Sequence, residues 1–212
     1  MGIDYASLSP MTRTFHTADL HLLHARISEL SGRPFSSVEA MNAFLIKAWN
    51  SRVTARDTVY IHGDVCLGPI NDSLALISLL AGYKILVLGN HDRPWEGNRK
   101  FEQWTQRYYA AGFDVILQPP VSGMVGDHPV LFSHFPYAGD SQDTDRFADR
   151  RPVDTGQWLI HGHVHEAWRQ RGRQINVGVD AWGGKPVPAE VLSAMIEAGP
   201  ADLPPRPWHT AS

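Results

Sequence analysis

A chain of 212 residues, 43% hydrophobic and 19% charged, is long enough to bury a sizeable core and is not of disordered composition. Its 19 basic and 22 acidic residues leave a net charge of −3, which is not the footprint of a dedicated duplex-DNA binder, and a single cysteine, Cys66, excludes an internal disulfide and a cysteine-based zinc site. No apolar run approaches the roughly 18 residues of a spanning helix, and the N-terminus lacks a basic segment followed by an apolar core, so the expectation is a cytoplasmic protein without membrane contact.

In chain order, residues 1–12 have no clear period and are expected as a loose arm. Residues 13–198 form one domain, and 199–212, with four prolines, form a tail that is disordered or laid over the surface. Within the domain, 13–17 reads as an extended run. Ser36 and Ser37 offer N-caps to an amphipathic helix carrying Met41, Phe44, Leu45, Ala48 and Trp49. A β-rich run follows at 58–61. Leu74, Ile77, Leu80 and Ala81 predict a helix closed by Gly82. A buried strand is expected at 84–88. Phe101, Trp104 and Tyr108 share one helical face that ends at Gly112. Further strands are expected at 113–117, 130–133, 157–160 and 174–177, and a last helix at 190–198. The polar stretch 140–151 is a loop and the candidate rim of any site. Early β–α alternation followed by strands with little helix implies a sheet with helices packed on it.

Five of these strand-like runs lead into the same kinds of residue: Asp19-Leu20-His21, Gly63-Asp64, Gly89-Asn90-His91-Asp92, His134 and Gly162-His163-Val164-His165. Sites in α/β sheets form beyond the C-terminal ends of strands. Carboxylate, amide oxygen and neutral imidazole, with no thiolate among them, suit Mn²⁺, Fe or Zn²⁺. If the chain stays extended, Asp19 and His21 share a face, and so do His163 and His165. Gly63, Gly89 and Gly162 precede candidate ligands and allow sharp turns or close backbone approach. Any one motif is common by chance. Five in this order, each at a strand end, are specific.

Together these motifs, over residues 15–192, resemble the calcineurin-like metallophosphoesterases, and most closely the small single-domain bacterial and phage members. Those members also carry an Asn-Val-Gly-Val-Asp type of run, here at 176–180. The resemblance implies an α/β fold, a metallophosphoesterase-type β-sandwich flanked by helices, with a metal site at the C-terminal ends of strands. It implies that Asp19, His21, Asp64 and His165 hold a first divalent metal, that Asp64 bridges, and that Asn90, His134 and His163 complete a second. Mn²⁺ is the expected metal, with Fe or Zn²⁺ as alternatives. His91 would face the substrate phosphate, and Asp92 would accept from its ring and set its tautomer. Two departures stand out. Ala18 precedes Asp19 where the family often has Ser, and Val65-Cys66 follows Asp64 where many members carry a second acid. Cys66 reads as a small apolar filler.

Around this set, Asn90 is also expected to contact substrate, His24 and His62 to orient a ligand or contact substrate, and Arg93 to clamp a phosphate oxygen. His161 reads as packing or support for a ligand. Trp95, Trp168 and Trp182 either stack a base or pack the core, and His16, His128 and His209 carry no assigned role. Two divalent cations against Asp19, Asp64 and a hydroxide leave about one positive charge, which suits a monoanionic diester. The intervals between motifs hold no insertion large enough for a cap, so the crevice should be open. The expected activity is therefore a phosphodiesterase acting on small or cyclic nucleotides, such as 2',3'-cyclic nucleotides. The partner is a small-molecule phosphodiester or nucleotide, and no signal speaks to an oligomeric state. The rivals are a phosphomonoesterase or protein phosphatase on the same metals, a nuclease, and a non-catalytic scaffold.

Overall fold

A computed structural model describes residues 12–96, 98–141 and 146–208. The expected arm therefore lies outside the described residues apart from Thr12, and so does His209. Four short runs, β1 (Thr14–Thr17), β2 (Thr58–Ile61), β3 (Tyr83–Val87) and β4 (Val115–Leu117), pair in parallel in that order. Parallel pairing requires a crossover between each pair of strands. Helices α2 (Val38–Asn50), α3 (Ile70–Ala75) and α4 (Phe101–Ala111) supply them, while α1 (Ile27–Leu30) is a single turn after β1. The second sheet contains β5 (Val121–Val125), β6 (His128–Phe132), β7 (Trp158–His161), β8 (Gln170–Gly172) and β9 (Gln174–Asn176). Then β10 (Val187–Pro188) returns antiparallel to β1, α5 (Ala189–Ala198) follows, and β11 (Ala201–Leu203) closes the chain. The orders are β10-β1-β2-β3-β4 and β11-β8-β9-β7-β6-β5.

Local chemistry explains where the elements begin and end. The Ser37 hydroxyl accepts from the Ala40 N–H at 3.1 Å and starts α2, which buries Met41, Leu45, Ala48 and Trp49 on one face. Gly112 ends α4 at φ 112°, a left-handed conformation that favours glycine. The predicted helix over 74–81 is instead α3 followed by a 3₁₀ turn at Leu76–Leu79. Leu74, Ile77 and Leu80 recur every three residues, which is the 3₁₀ period. The sequence reading left out β5, although Gly126-Asp127 is a two-residue glycine turn between Val125 and its partner His128. Residues 199–208 of the proline-rich tail are laid over the surface, and 209–212 lie outside the described residues. The tail's three-residue strand β11 pairs with β8, the Arg206 N–H donates to the Ala181 carbonyl at 2.9 Å, and Trp208 packs on Phe35. The ordered fold thus continues past residue 198.

Two cores follow from the period-two alternation of the central strands. One face of the first sheet, with Phe15, Ile61 and Leu86, packs on the helices through Leu45, Trp49 and Tyr108. The other face, with Val87, meets Phe132, Ile160 and Ile175 of the second sheet and Leu192 of α5. Thr17 lies beside Ile61, Ile61 beside Leu86, and Phe132 beside Ile160. The C-terminal ends of β1, β2 and β3, and those of β6 and β7, therefore finish side by side in their sheets. Among the described residues no helix is long and apolar enough to cross a membrane.

Asp57 ties the start of β2 to the start of β1. Its carboxylate accepts from the backbone N–H groups of Thr54 (2.7 Å) and Arg13 (2.9 Å) and from the Thr54 hydroxyl (2.8 Å). Burial opposes its ionisation, but these hydrogen bonds outweigh burial and hold its pKa at about 2. The lowered value stabilises the fold at pH above the unfolded carboxyl pKa of about 3.9, and the gain is lost as pH falls through about 2. Asp57→Asn is expected to lower Tm by roughly 2–6 °C at pH 7, and by progressively less between about pH 4 and 2. A Tm difference that does not change with pH in thermal melts would contradict this account.

Candidate metal centre

Each candidate ligand stands two to four residues beyond a strand end. Asp19 and His21 follow β1, Asp64 follows β2, Asn90 follows β3, His134 follows β6, and His163 and His165 follow β7. Asp19 (φ 58°), His21 (49°), Asp64 (55°), His163 (71°) and His165 (47°) all adopt left-handed backbone. Such a conformation costs a non-glycine residue about 1 kcal/mol or more and persists only where its surroundings enforce it. The expectation that Asp19 and His21, or His163 and His165, share a face of an extended chain is therefore corrected. Tight turns aim these side chains, and the strand pleat does not. The turns are tied together by backbone hydrogen bonds: Asp19 N–H to the Gly63 carbonyl at 3.0 Å and His21 N–H to the Asp64 carbonyl at 3.1 Å. The His163 N–H donates to Asp19 Oδ2 at 3.0 Å. A Cβ on Gly162 would lie 2.6 Å from Asp19 Oδ2, so only glycine admits this approach.

Ligand atoms of Asp19, His21 and His165 lie within 4.8 Å of one another, and so do those of Asp19, Asp64 and His134. His134 Nε2 is 3.3 Å from Asp64 Oδ2 and 3.1 Å from Asn90 Oδ1, and His21 Nε2 is 3.8 Å from Asp64 Oδ2. Three imidazoles have their other nitrogen held by oxygen. His134 Nδ1 meets the His62 carbonyl at 2.8 Å, His165 Nδ1 meets Asp180 Oδ2 at 2.8 Å, and His163 Nε2 meets Asp140 Oδ2 at 3.3 Å. An oxygen partner on one nitrogen fixes the tautomer and leaves the lone pair of the other for a metal. His163 approaches His134 with ring centroids 5.2 Å apart. Both ring nitrogens of His21 are buried without a hydrogen-bond partner, a state that destabilises the fold unless a ligand takes one of them. The donor set and this orphaned imidazole fit divalent cations.

The electrostatics divide the cluster: burial keeps His21 and His163 neutral, whereas His134 and His165 are held toward their charged forms by the neighbouring carboxylates, whose demand for positive charge a bound cation would meet. Burial raises the Asp19 carboxyl above its ordinary range, with the neighbouring Asp64 adding to the rise. Asp64 is held low despite burial, because His134 and His21 favour its charge. In turn Asp64 outweighs burial at His134 and lifts it to about 9. Burial drives His21 well below its ordinary value and takes His163 down to about 3, with His134 adding to the drop, so both are neutral as ligands must be.

Comparison with known proteins assigns this geometry. The profile of the calcineurin-like phosphoesterases matches residues 12–193. The chain belongs to that family. It is 40% identical to the gene 66 protein of Mycobacterium phage L5 over 185 residues, spanning 82% of this chain and 89% of that one. An uncharacterised protein of Methanocaldococcus jannaschii is 31% identical over 198 residues, 89% of this chain and 94% of its own. A crystal structure of a protein of unknown function from Aquifex aeolicus superposes with a TM-score of 0.65 at 25% identity, covering 87% of this chain and all of that one. Membership brings metal-dependent hydrolysis of phosphoric esters and a dinuclear metal requirement, for which the cluster supplies candidate ligands.

In this phosphoesterase the ligand cluster opens into a cavity of about 120 Å³ lined by His21, His24, Asp64, Asn90, His91 and Arg146, among others. His91 turns its ring into that space, 38% exposed, with Nε2 3.9 Å from Asp64 Oδ2, while its backbone N–H donates to Asp64 Oδ1 at 2.9 Å. Asp92 does not accept from the His91 ring, which corrects that expectation. Its buried carboxylate accepts from the backbone N–H groups of Asp64 (2.8 Å), Gly89 (2.8 Å) and Val65 (3.3 Å), and so joins the β2 turn to the β3 turn. His62 is buried, with its ring 3.0 Å from His16 and its carbonyl on His134, and it does not line the cavity. Arg93 stacks on Trp104 at 4.3 Å and lines an adjoining groove, so it is not in the deep cavity. His24 is on the cavity wall, its ring 5.7 Å from His21. Trp168 and Trp182 are core residues, His161 packs on Trp168 at 4.8 Å, and His128 meets Glu197 at the surface. Cys66 is buried with its thiol pushed up by burial, in keeping with a neutral filler.

Four supporting residues escaped the sequence reading. Arg33 binds Asp180 through Nε at 2.8 Å and Nη2 at 2.9 Å, with both side chains wholly buried, and also donates to the Asp19 carbonyl at 2.7 Å. Asp180 in turn holds His165. Nothing in the sequence around Arg33 marks it, whereas Asp180 ends the 176–180 run. Asp140 and Arg146, joined at 2.7 Å, come from the polar stretch read only as a rim. Asp180→Asn weakens the grip on His165, and metal affinity is expected to fall about 10–100-fold in chelator competition. Unchanged affinity would remove Asp180 from this role.

Proposed function

We propose that this phosphoesterase is a phosphodiesterase for small or cyclic nucleotides, working with Mn²⁺. The observation that carries the reading is the shape beside the ligands. The cavity of about 120 Å³ shares Asn90 and His91 with an open groove of about 350 Å³, in which Arg93, Trp95 and Arg150 also stand. A diester carries two substituents, and the cavity and groove offer a place for each. The absence of a thiolate among the ligands supports Mn²⁺, as it does Fe or Zn²⁺.

When bound, a divalent pair activates water and neutralises charge on the phosphoryl oxygens. Asp64 would bridge the pair. Asp19, His21 and His165 would hold one ion, and Asn90, His134 and His163 the other. His91 is placed to donate a proton at Nε2 to the leaving oxygen. Burial lowers its proton affinity below that of an ordinary imidazole, and Asp64 opposes the drop. Asp92 keeps the turns carrying Asp64 and Asn90 at a constant spacing. Arg146 faces the cavity and would bind a phosphoryl oxygen. That extra cation would favour a dianionic monoester, but Asp140 neutralises it at 2.7 Å.

With Mn²⁺ restored after chelation, kcat/KM for bis-p-nitrophenyl phosphate is expected to exceed that for p-nitrophenyl phosphate, with Asp64→Ala as the inactive control. A monoester preference would replace this reading with a phosphatase. His91→Ala is expected to retain both metals by elemental analysis and to lose about 10²–10⁴-fold in rate. Loss of metal in that variant would make His91 a ligand.

A further inference from the structure

A second cleft lies at the β10 edge of the first sheet and shares no lining residue with the metal cavity or its groove. Its volume is about 360 Å³, within the usual range of small-ligand sites. Arg13, Arg52, Lys185 and Arg206 converge on it from four separate segments, over walls that include Phe15 and Trp182, and none of the described lining residues is acidic.

These cations are held in place largely by neutral groups. Arg52 donates from Nη1 to the Pro186 carbonyl at 3.0 Å, and Arg13 donates from Nη2 to the Arg52 carbonyl at 2.6 Å. Arg206 lies over the Trp182 ring at 4.8 Å, with Arg169 over the same ring at 5.2 Å. Only Arg13, among the four and within the described residues, has a carboxylate within ion-pair distance: Asp57, at 3.3 Å. Burial, and then the charge of Arg206, makes Arg52 and Arg169 less ready to hold their protons than a free guanidinium. Four cations gathered against a single carboxylate, in a chain of net charge −3, are stabilised by an anion. Guanidinium forks fixed on carbonyls and an indole match phosphate oxygens in pairs.

We propose that this cleft binds linked phosphates, either the chain of a nucleoside polyphosphate or the backbone of single-stranded nucleic acid, at a place separate from the metal centre. The size of the cleft and its four cations exceed what one orthophosphate would engage. The buried faces of Trp182 and Phe15 leave no ring for base stacking, so recognition is of phosphate and not of base.

The test is fluorescence anisotropy of the full-length, metal-loaded protein with a labelled short oligothymidine, with ADP as competitor. Lys185→Gln/Arg206→Gln is expected to weaken oligonucleotide binding at least tenfold at about 50 mM salt. It should also flatten the slope of log affinity against log salt by about 1.4, which is two lost phosphate contacts on a single strand. Turnover of bis-p-nitrophenyl phosphate should not change, because neither residue touches the metal cavity. Competition by ADP at wild-type protein, lost in the variant, identifies a polyphosphate chain as the occupant. Oligonucleotide binding that ADP does not displace identifies a nucleic-acid backbone. If the double variant fails to fold, Lys185→Glu alone carries the same comparison. Equal affinity and slope in wild type and variant, or no binding of either probe, would overturn the proposal. The readout is binding, so a failed diester preference would leave it standing.

Discussion

Asp64 is a carboxylate buried at the point where two sheets meet, and the site is arranged around its two oxygens. Oδ1 receives the backbone N–H of His91, and Oδ2 faces His134 and His21. The backbone of the same residue receives His21 and donates to Asp92. A buried carboxylate without compensation is strongly destabilising. Here the compensation comes from imidazoles brought by β1 and β6 and from the cations that this donor set is built to hold. Asp19, the second buried carboxylate of the cluster, increases that demand for positive charge.

Such a site opposes the stability of its own fold. Five of its residues hold left-handed backbone, and both His21 nitrogens are buried without partners. These penalties amount to several kcal/mol, a large part of the net stability of an ordinary domain. A second layer of groups offsets them. The Arg33–Asp180 pair braces His165 and the Asp19 turn together, Asp92 braces Asp64 and Gly89, and Asp140 braces His163. Each group in this layer is ionisable, and each satisfies more than one partner. Charge at that depth is tolerable only when its hydrogen bonds are filled.

Net charge hides a division of the molecular surface. The overall −3 speaks against a nucleic-acid partner only if charge is spread evenly. Two buried carboxylates, Asp19 and Asp64, stand at the strand ends, and Arg13, Arg52, Lys185 and Arg206 share the cleft at the β10 edge. The potential that a ligand meets is set by the local arrangement and is not the average.

The candidate ligand types, their order, and the family were legible in the sequence, because Asp19, His21, Asp64, Asn90, His134, His163 and His165 each follow a recognisable apolar run. Strand periodicity and a nearby glycine are local properties, and local properties can be read from neighbours along the chain. The helices α2 and α4 were legible for the same reason, through Ser37 and Gly112. The strands β8, β10 and β11 were not, since two or three residues carry no period and each exists by virtue of its partner strand. Tertiary structure alone decided that Arg33 reaches Asp180 across 147 positions, that Arg146 and not Arg93 enters the cavity, and that Asp92 serves backbone and not His91. It also decided that four distant cations share one cleft. A side chain's type is written in the sequence. Its partner is chosen by how strands pair and how turns aim, and those depend on residues far away along the chain.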